Sequence, residues 1–307
     1  MSKLSTAIRL IKKKHDEVPA ALLRNFSFLI PCDKLYLRLM FRFCMGYWPN
    51  FDNPKTFNEK IQWLKLYNRN PLYTTLVDKY SVKQYVSDKI GKEYIIPTIG
   101  VWSDAREINF DQLPNQFVLK TTNGGGGDVV ICKDKRLLDQ TLVIKQLNKW
   151  LKNNIYRKCR EWPYKDVKPQ IIAETYMEDE SGELRDYKFF CFDGKVQALF
   201  IATERQNPNE DTKFDFFDRD FKHLPFTNGH PNACFLPQKP RMFEKMIELA
   251  ERLSKGFPHI RIDLYEVGSQ IYFGEMTFFH WSGMVPFNPE SWDYKFGEWI
   301  QLSSKHF

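Results

Sequence analysis

Between Pro258 and Gly283 the chain reads PHIRIDLYEVGSQIYFGEMTFFHWSG. Apolar and polar residues alternate on both sides of Val267-Gly268-Ser269, the pattern of two antiparallel strands joined by a tight turn. A hairpin symmetric about Ser269 sets Asp263 opposite Glu275 and Arg261 opposite Thr277. Directly opposed residues share a face. Two carboxylates so placed repel unless a cation lies between them, which points to a hard divalent metal bound through oxygen. With Arg261 and Thr277 alongside, that face suits Mg²⁺ and phosphate oxygens. The bland alternative is an Asp and a Glu on a solvated face that never meet.

A second signal is KTTNGGGGD, Lys120 to Asp128, between the expected strands Phe117–Lys120 and Val129–Ile131. Four glycines, Gly124, Gly125, Gly126 and Gly127, let backbone N–H groups turn toward one anion. Lys120 adds a point charge for phosphate. No Gly-Lys-Ser/Thr follows, so this is not a Walker loop; the plain alternative is a loose hairpin tip with a solvated lysine. Lys79 and Lys83, at the start of a helix expected from about Ser81 to Ile90, read on their own as surface lysines. A strand from Ile171 to Tyr176 ends in Glu174, Tyr176 and Met177, where an acidic group holds ribose hydroxyls or is merely solvated. Lys188, on the alternating strand Asp186–Phe192, wants an anion, and Asp186 or solvent serves as well as a ligand. His280, close behind Glu275, is either structural or a substrate contact.

Strands alternate with helices but mostly as antiparallel neighbours, which favours α+β over a parallel sheet. Helices are expected at Thr56 onward, capped by Glu59 with Phe57, Ile61 and Leu64 on one face, at 138–154 around Leu147, and at 241–255 around Met246, Leu249 and Leu253. Residues 203–239, rich in turn formers, read as one long irregular segment. The 307 residues are 43% hydrophobic and 16% aromatic, enough for a packed core. The net charge of +7 concentrates early, with nine basic and three acidic residues in the first 50. That placement, with no recognisable DNA- or RNA-binding motif, argues against nucleic acid. No apolar run is long enough to span a membrane, and the first residues lack a secretory pattern. Ala7, Ile8 and Ile11 among Lys3, Arg9, Lys12, Lys13 and Lys14 fit a short basic amphipathic helix, lying on an anionic membrane or simply solvated. Cys32, Cys44, Cys132, Cys159, Cys191 and Cys234 show no metal-ligand spacing and read as buried thiols of a cytoplasmic protein.

The order of these features is a lysine before a helix, a strand lysine with a glycine loop, a strand-exit Glu, a late-strand Asp and a Glu on its hairpin mate. It resembles the ATP-grasp superfamily. The stretches TFNEKIQWLKLYNRNPLYTTLVDKY, LPNQFVLKTTNGGGG, REWPYKDVKPQIIAETY, DYKFFCFDGK and RIDLYEVGSQIYFGEMTFFHWSG resemble more closely the TupA-like ATP-grasp proteins of bacterial surface-polysaccharide clusters, named for teichuronopeptide biosynthesis. The resemblance implies an ATP-grasp fold of two α+β subdomains with antiparallel sheets clasping ATP. A helical region would span 1–75, the small subdomain 76–176 and the large one 177–307. Lys79 and Lys120 would contact the phosphates and Gly124 to Gly127 close over them. Glu174, Tyr176 and Met177 would form the hinge beside adenine, and Asp179 would meet the ribose. Asp263 and Glu275 would bind Mg²⁺, and Arg261 or Lys188 would steady the transferred phosphate. Many ATP-grasp ligases carry Asn where Thr277 stands, which leaves one or two Mg²⁺ open.

The activity implied is a carboxylate–amine ligase working through an acyl phosphate. It would join an amine or amino acid to a glycan, for example at a uronic acid, in the cytoplasm or at the inner face of the membrane through the basic N-terminus. Two alternatives stay open, a sugar phosphotransferase and a non-catalytic polysaccharide-binding module. Trp162, Tyr164 and Trp281 read either as sugar-stacking rings or as core.

Overall fold

The computed structural model describes residues 18–124, 127–180, 182, 184–205 and 210–302. The basic stretch from Lys3 to Lys14, Gly125 and Gly126 lie outside the described residues. After a helical segment at 18–25 come α1 (Asp33–Met45), α2 (Phe57–Tyr67), α3 (Leu72–Val77) and α4 (Val82–Ile90). Helix α2 starts where its sequence says. Thr56 Oγ1 accepts from the Glu59 N–H at 3.2 Å and Glu59 Oε2 accepts from the Thr56 N–H at 3.3 Å, a reciprocal cap that satisfies two backbone donors a helix leaves orphaned. Helix α4 buries Val82, Val86 and Ile90 and ends at Gly91, whose φ of +123° a side chain rarely adopts.

A four-stranded antiparallel sheet follows, built from β1 (Thr98–Trp102), β2 (Phe117–Thr121), β3 (Val129–Cys132) and β4 (Ile171–Thr175) in the order β1-β4-β2-β3. Its two faces differ because side chains alternate along a strand. Phe117, Leu119, Ile171 and Ala173 pack with Val143 and Leu147 of helix α5 (Gln140–Trp150). The other face presents Val118, Lys120, Glu174, Val129 and Ile131, and the last two keep 37% and 40% of their surface exposed. This sheet thus has one packed face and one working face. A short helix α6 (Ile155–Cys159) leads into β4.

The second sheet has six antiparallel strands: β5 (Asp186–Phe192), β6 (Lys195–Thr203), β7 (Lys213–Asp218), β8 (His223–Leu224), β10 (His259–Val267) and β11 (Gln270–Thr277), ordered β11-β10-β5-β6-β7-β8. Helix α7 (Phe243–Ser254) buries Phe243, Met246, Ile247, Leu249, Ala250 and Leu253 toward the face carrying Phe189, Phe217 and Ile262. Burying each such side chain contributes about 1.5–3 kcal/mol. On the opposite face, one end is aromatic. Phe190 and His259 meet Phe57 of α2, Phe190 also meets Phe296 of helix α8 (Ser291–Trp299), and Phe200 and Phe216 extend the cluster from Phe190. The other end of that face is charged, with Asp186, Lys188, Arg261 and Asp263. A two-stranded pair, β9 (Thr227–Asn228) with β12 (Phe287–Asn288), closes the fold.

Three expectations need correction. Residues 203–239 are not one irregular segment, because they contain β7, β8 and β9. Strand β7 escaped notice because KFDFFD is buried on both faces, so it shows no clean alternation of apolar and polar residues. The cysteines are not uniformly buried, since Cys32 and Cys234 are exposed and only Cys132 and Cys191 are fully covered. The helix expected over 138–154 is shorter, running only from Gln140 to Trp150, and the separate helix α6 that Asn154 caps begins beyond it at Ile155.

Candidate functional site

The hairpin β10–β11 pairs Asp263 with Glu275 and Arg261 with Thr277, as the sequence pattern predicts, but by a different route. The turn is two residues, Gly268-Ser269, so pairing begins Val267↔Gln270 and runs to Leu264↔Phe273. Continued without change, that register would set Asp263 opposite Gly274 and turn Glu275 to the other face. A bulge at Gly274 adds one residue and brings Glu275 back opposite Asp263. A side chain is crowded there: a Cβ would lie 2.9 Å from the Tyr265 ring and 3.1 Å from the Asp263 carbonyl oxygen.

Asp263 is 1% exposed and held by two cations. Arg261 Nε donates to Oδ1 at 2.7 Å and its NH2 donates to Oδ2 at 2.8 Å, while Lys188, directly opposite on β5, also donates to Oδ2. Burial works against the charged carboxylate, but Arg261 and Lys188 outweigh it and hold Asp263 below the usual range. The guanidinium has two further partners, Thr277 Oγ1 at 2.9 Å and His280 Nδ1 at 2.8 Å. Arginine can only donate, so Nδ1 is the acceptor and Nε2–H donates to Asn228 Oδ1 at 3.0 Å. Burial, reinforced by the Arg261 charge, pushes His280 far below the usual imidazole range, which matches that neutral tautomer. Lys188 also lies 3.3 Å from Asp186, whose other oxygen pairs with Arg205. The opposed carboxylates therefore do not by themselves require a metal, because Asp263 is already compensated by side chains.

The working face of the small sheet repeats this arrangement with different parts. Glu174, 4% exposed, pairs with Lys120 of β2 at 2.5 Å and Lys83 of α4 at 2.6 Å. Burial opposes its charge, and the two ammonium groups hold its carboxyl below the usual range nonetheless. Lys83 also donates to Thr98 Oγ1 at 2.6 Å and to the Ile96 carbonyl at 2.8 Å. Lys79 donates to the Gly124 carbonyl at the start of the glycine run. Gly124 is closely confined, since a Cβ would lie 2.8 Å from both Thr121 Oγ1 and Asp128 Oδ2. Thr121 Oγ1 is buried without a hydrogen-bond partner.

Lys79 joins the two halves. Burial pushes its pKa down, and the charge that most favours its ammonium form is Glu275, on the other sheet. Half-buried Glu275 makes no hydrogen bond or ion pair of its own among the described residues. Among these residues no three His, Cys, Asp or Glu side chains converge. A divalent cation here would have two protein carboxylates, the usual holding for Mg²⁺, which takes its remaining oxygens from water and phosphate. The donor set fits Mg²⁺ with a nucleotide, with Glu275 open and Asp263 keeping unused lone pairs.

The other sequence-predicted residues scatter more. Gly127 adopts φ +141°. Glu174 sits inside β4 rather than at its exit. Tyr176 donates to Glu178 at 2.7 Å, Met177 is half-buried, and Asp179 Oδ2 accepts from the Arg185 N–H at 3.2 Å. Trp162 and Tyr164 are 9% exposed and belong to the core, whereas Trp281 is 40% exposed. Lys79 and Lys83 are not solvated surface lysines, since both are partly buried, one on the Gly124 carbonyl and the other on Glu174. The sequence also gave no role to Arg205 or Asn228. Two opposite charges two residues apart at the start of DYKFFCF, in a strand otherwise apolar or aromatic, are the sign in the sequence that Asp186 and Lys188 act together.

The family model described as TupA-like ATPgrasp matches residues 59–301. No curated protein matches the chain. Among solved structures, it is similar to D-alanine–D-alanine ligase from Helicobacter pylori, with 14% identity and a TM-score of 0.43 over 80% of this chain and 69% of that one. The enzyme from Bacillus anthracis in complex with ATP gives 15% and 0.37, over 66% of this chain and 53% of that one. A RimK domain ATP-grasp protein from Sphaerobacter thermophilus gives 10% and 0.40, over 76% and 70%. The chain thus spans about half the length of the Bacillus ligase it matches.

Proposed function

This chain belongs to the TupA-like ATP-grasp family, and from that premise we propose that it is an ATP-dependent carboxylate–amine ligase. ATP would lie between the two sheets, its phosphates toward Lys79, Lys120 and the glycine run, its base toward Tyr176 and Met177, and its ribose toward Asp179. Asp263 and Glu275 would hold Mg²⁺, which neutralises charge on the phosphate oxygens when bound. Arg261 and Lys188 would orient the acceptor carboxylate and steady the transferred phosphoryl group. Preorganised cations in a water-poor cleft stabilise charge where it develops in the transition state. The observation that carries this reading is the bulge at Gly274. It places two carboxylates and an arginine on one face, with the field of Glu275 reaching Lys79 of the other half.

The acceptor in this reading is a saccharide of a bacterial surface polysaccharide, such as a uronic acid, joined to an amine or amino acid in the cytoplasm. Peripheral contact with an anionic membrane goes with it. Supporting it are the exposed Leu22, Phe26, Phe28, Leu35 and Trp48, with Arg38 5.4 Å from the Trp48 ring centre. Among the described residues no helix is long and apolar enough to cross a membrane. The test is incubation with Mg-ATP, uronosyl oligosaccharides and amino acids. Amide formation with ADP release supports the ligase. A phosphorylated sugar formed without any amine would make it a phosphotransferase, and AMP release would remove the acyl-phosphate route.

A further inference from the structure

Immediately after the hairpin, three consecutive residues adopt left-handed backbone: Trp281 (φ 48°), Ser282 (φ 57°) and Gly283 (φ 61°). For non-glycine residues such conformations are unfavourable and persist only where the surroundings enforce them. Here the enforcement comes from α2. Gln62 Nε2 donates to the Ser282 carbonyl at 3.0 Å and the Gly283 carbonyl at 2.7 Å. Lys65, fully buried, donates to the Ser282 carbonyl at 2.7 Å, to Ser282 Oγ at 2.6 Å and to the Cys159 carbonyl at 3.0 Å.

The clamp leaves an indole open at the edge of the charged face. The Trp281 ring is partly covered: Phe214 stacks at 6.1 Å and 26°, His230 and His280 each lie 5.8 Å away, and a Cβ on Gly229 would come within 2.9 Å of the ring. The rest stays open, at 40% exposure. The preceding residue, His280, bonds Arg261 directly. A broad apolar ring, propped by neighbouring rings, part exposed and with polar groups beside it, matches the C–H face and hydroxyl edge of a pyranose.

We propose that Trp281 is the stacking platform for a sugar ring of the acceptor, placed beside Arg261 by the Gln62 and Lys65 clamp. This rests on the ligase reading above and assigns its saccharide subsite. Trp162 and Tyr164, buried in the core, take no part.

The test is calorimetric titration of the full chain, without nucleotide, with a galacturonic-acid trisaccharide and with maltotriose. Trp281→Gly removes the ring while accepting the left-handed backbone freely, and Trp281→Phe keeps a smaller ring. The expected result is binding of at least one saccharide by the wild type, with Kd raised about tenfold in Trp281→Gly and about twofold in Trp281→Phe. Equal affinity in Trp281→Gly and wild type overturns the proposal, and so does absence of binding by the wild type. Mg-ATP stabilisation of the same wild-type sample is a separate readout. Its absence would sink the ligase reading without deciding the saccharide titration.

Discussion

Glu174 in the small sheet and Asp263 in the large one are the same device built from different parts. Each is a buried carboxylate between two cations, Lys83 and Lys120 in one case, Arg261 and Lys188 in the other. At Glu174 both cations are ammonium groups on flexible stems, each with a side chain 14% exposed. Lys120 can turn toward a phosphate while Lys83 stays on Glu174, so the buried carboxylate keeps a partner. At Asp263 one cation is a guanidinium with four partners, Asp263 Oδ1 and Oδ2, Thr277 and His280. Its planar fork fixes direction as well as charge. The small sheet offers mobile charge and the large sheet offers fixed geometry, the division expected where a phosphate chain must be gripped on one side and aligned for transfer on the other.

The largest effect should come from breaking the fixed half. Asp263→Asn leaves Arg261 buried without its paired carboxylate and Lys188 with Asp186 alone, and is expected to cost about 3–5 kcal/mol in denaturant unfolding. Glu174→Gln removes the matching carboxylate, but its lysines can move toward solvent, so the expected cost is about 1–3 kcal/mol. Equal losses at the two sites would break the comparison. Gly274→Ala tests the bulge that aligns the two carboxylates. Its Cβ must displace the Tyr265 ring and the Asp263 carbonyl, for about 1–3 kcal/mol, and nucleotide binding should lose its Mg²⁺ dependence.

A smaller effect is written in pH. His259, buried at the aromatic end with Nδ1 3.0 Å from the Cys191 carbonyl, has its pKa pushed down to about 3 by burial. A base with a depressed folded pKa stabilises the fold above its unfolded pKa and loses that contribution as pH falls. Stability should therefore drop by about 1.4 kcal/mol per pH unit for this histidine, beginning below about pH 6.5. His259→Phe should flatten that slope in denaturant titrations between pH 6.5 and 5. An unchanged slope would mean that the ring is already charged or solvated.

The sequence made the antiparallel α+β class, the cap of α2 and the face shared by Asp263 and Glu275 legible, because each depends on spacing within one or two neighbouring elements. The hairpin register came out right through two offsetting departures, a turn one residue shorter and a bulge one residue longer. Alternation alone does not reveal a bulge. The partners of Glu174 were hidden because Lys83 comes from a helix some ninety residues earlier in the chain. The buried polar row Asn58, Gln62 and Lys65 does not stand out in the sequence, since most of its acceptors lie at 282–293 and only tertiary packing brings them there.

The most direct measurement compares unfolding free energy with ATP, with Mg²⁺ and with both, in wild type and Glu275→Gln. With Mg-ATP at about 100 times its Kd the wild type should gain about 2.7 kcal/mol. In Glu275→Gln the part of that gain that depends on Mg²⁺ should vanish while the unliganded protein stays folded. A Glu275→Gln protein that keeps the full Mg²⁺-dependent gain would contradict a cation shared by Asp263 and Glu275.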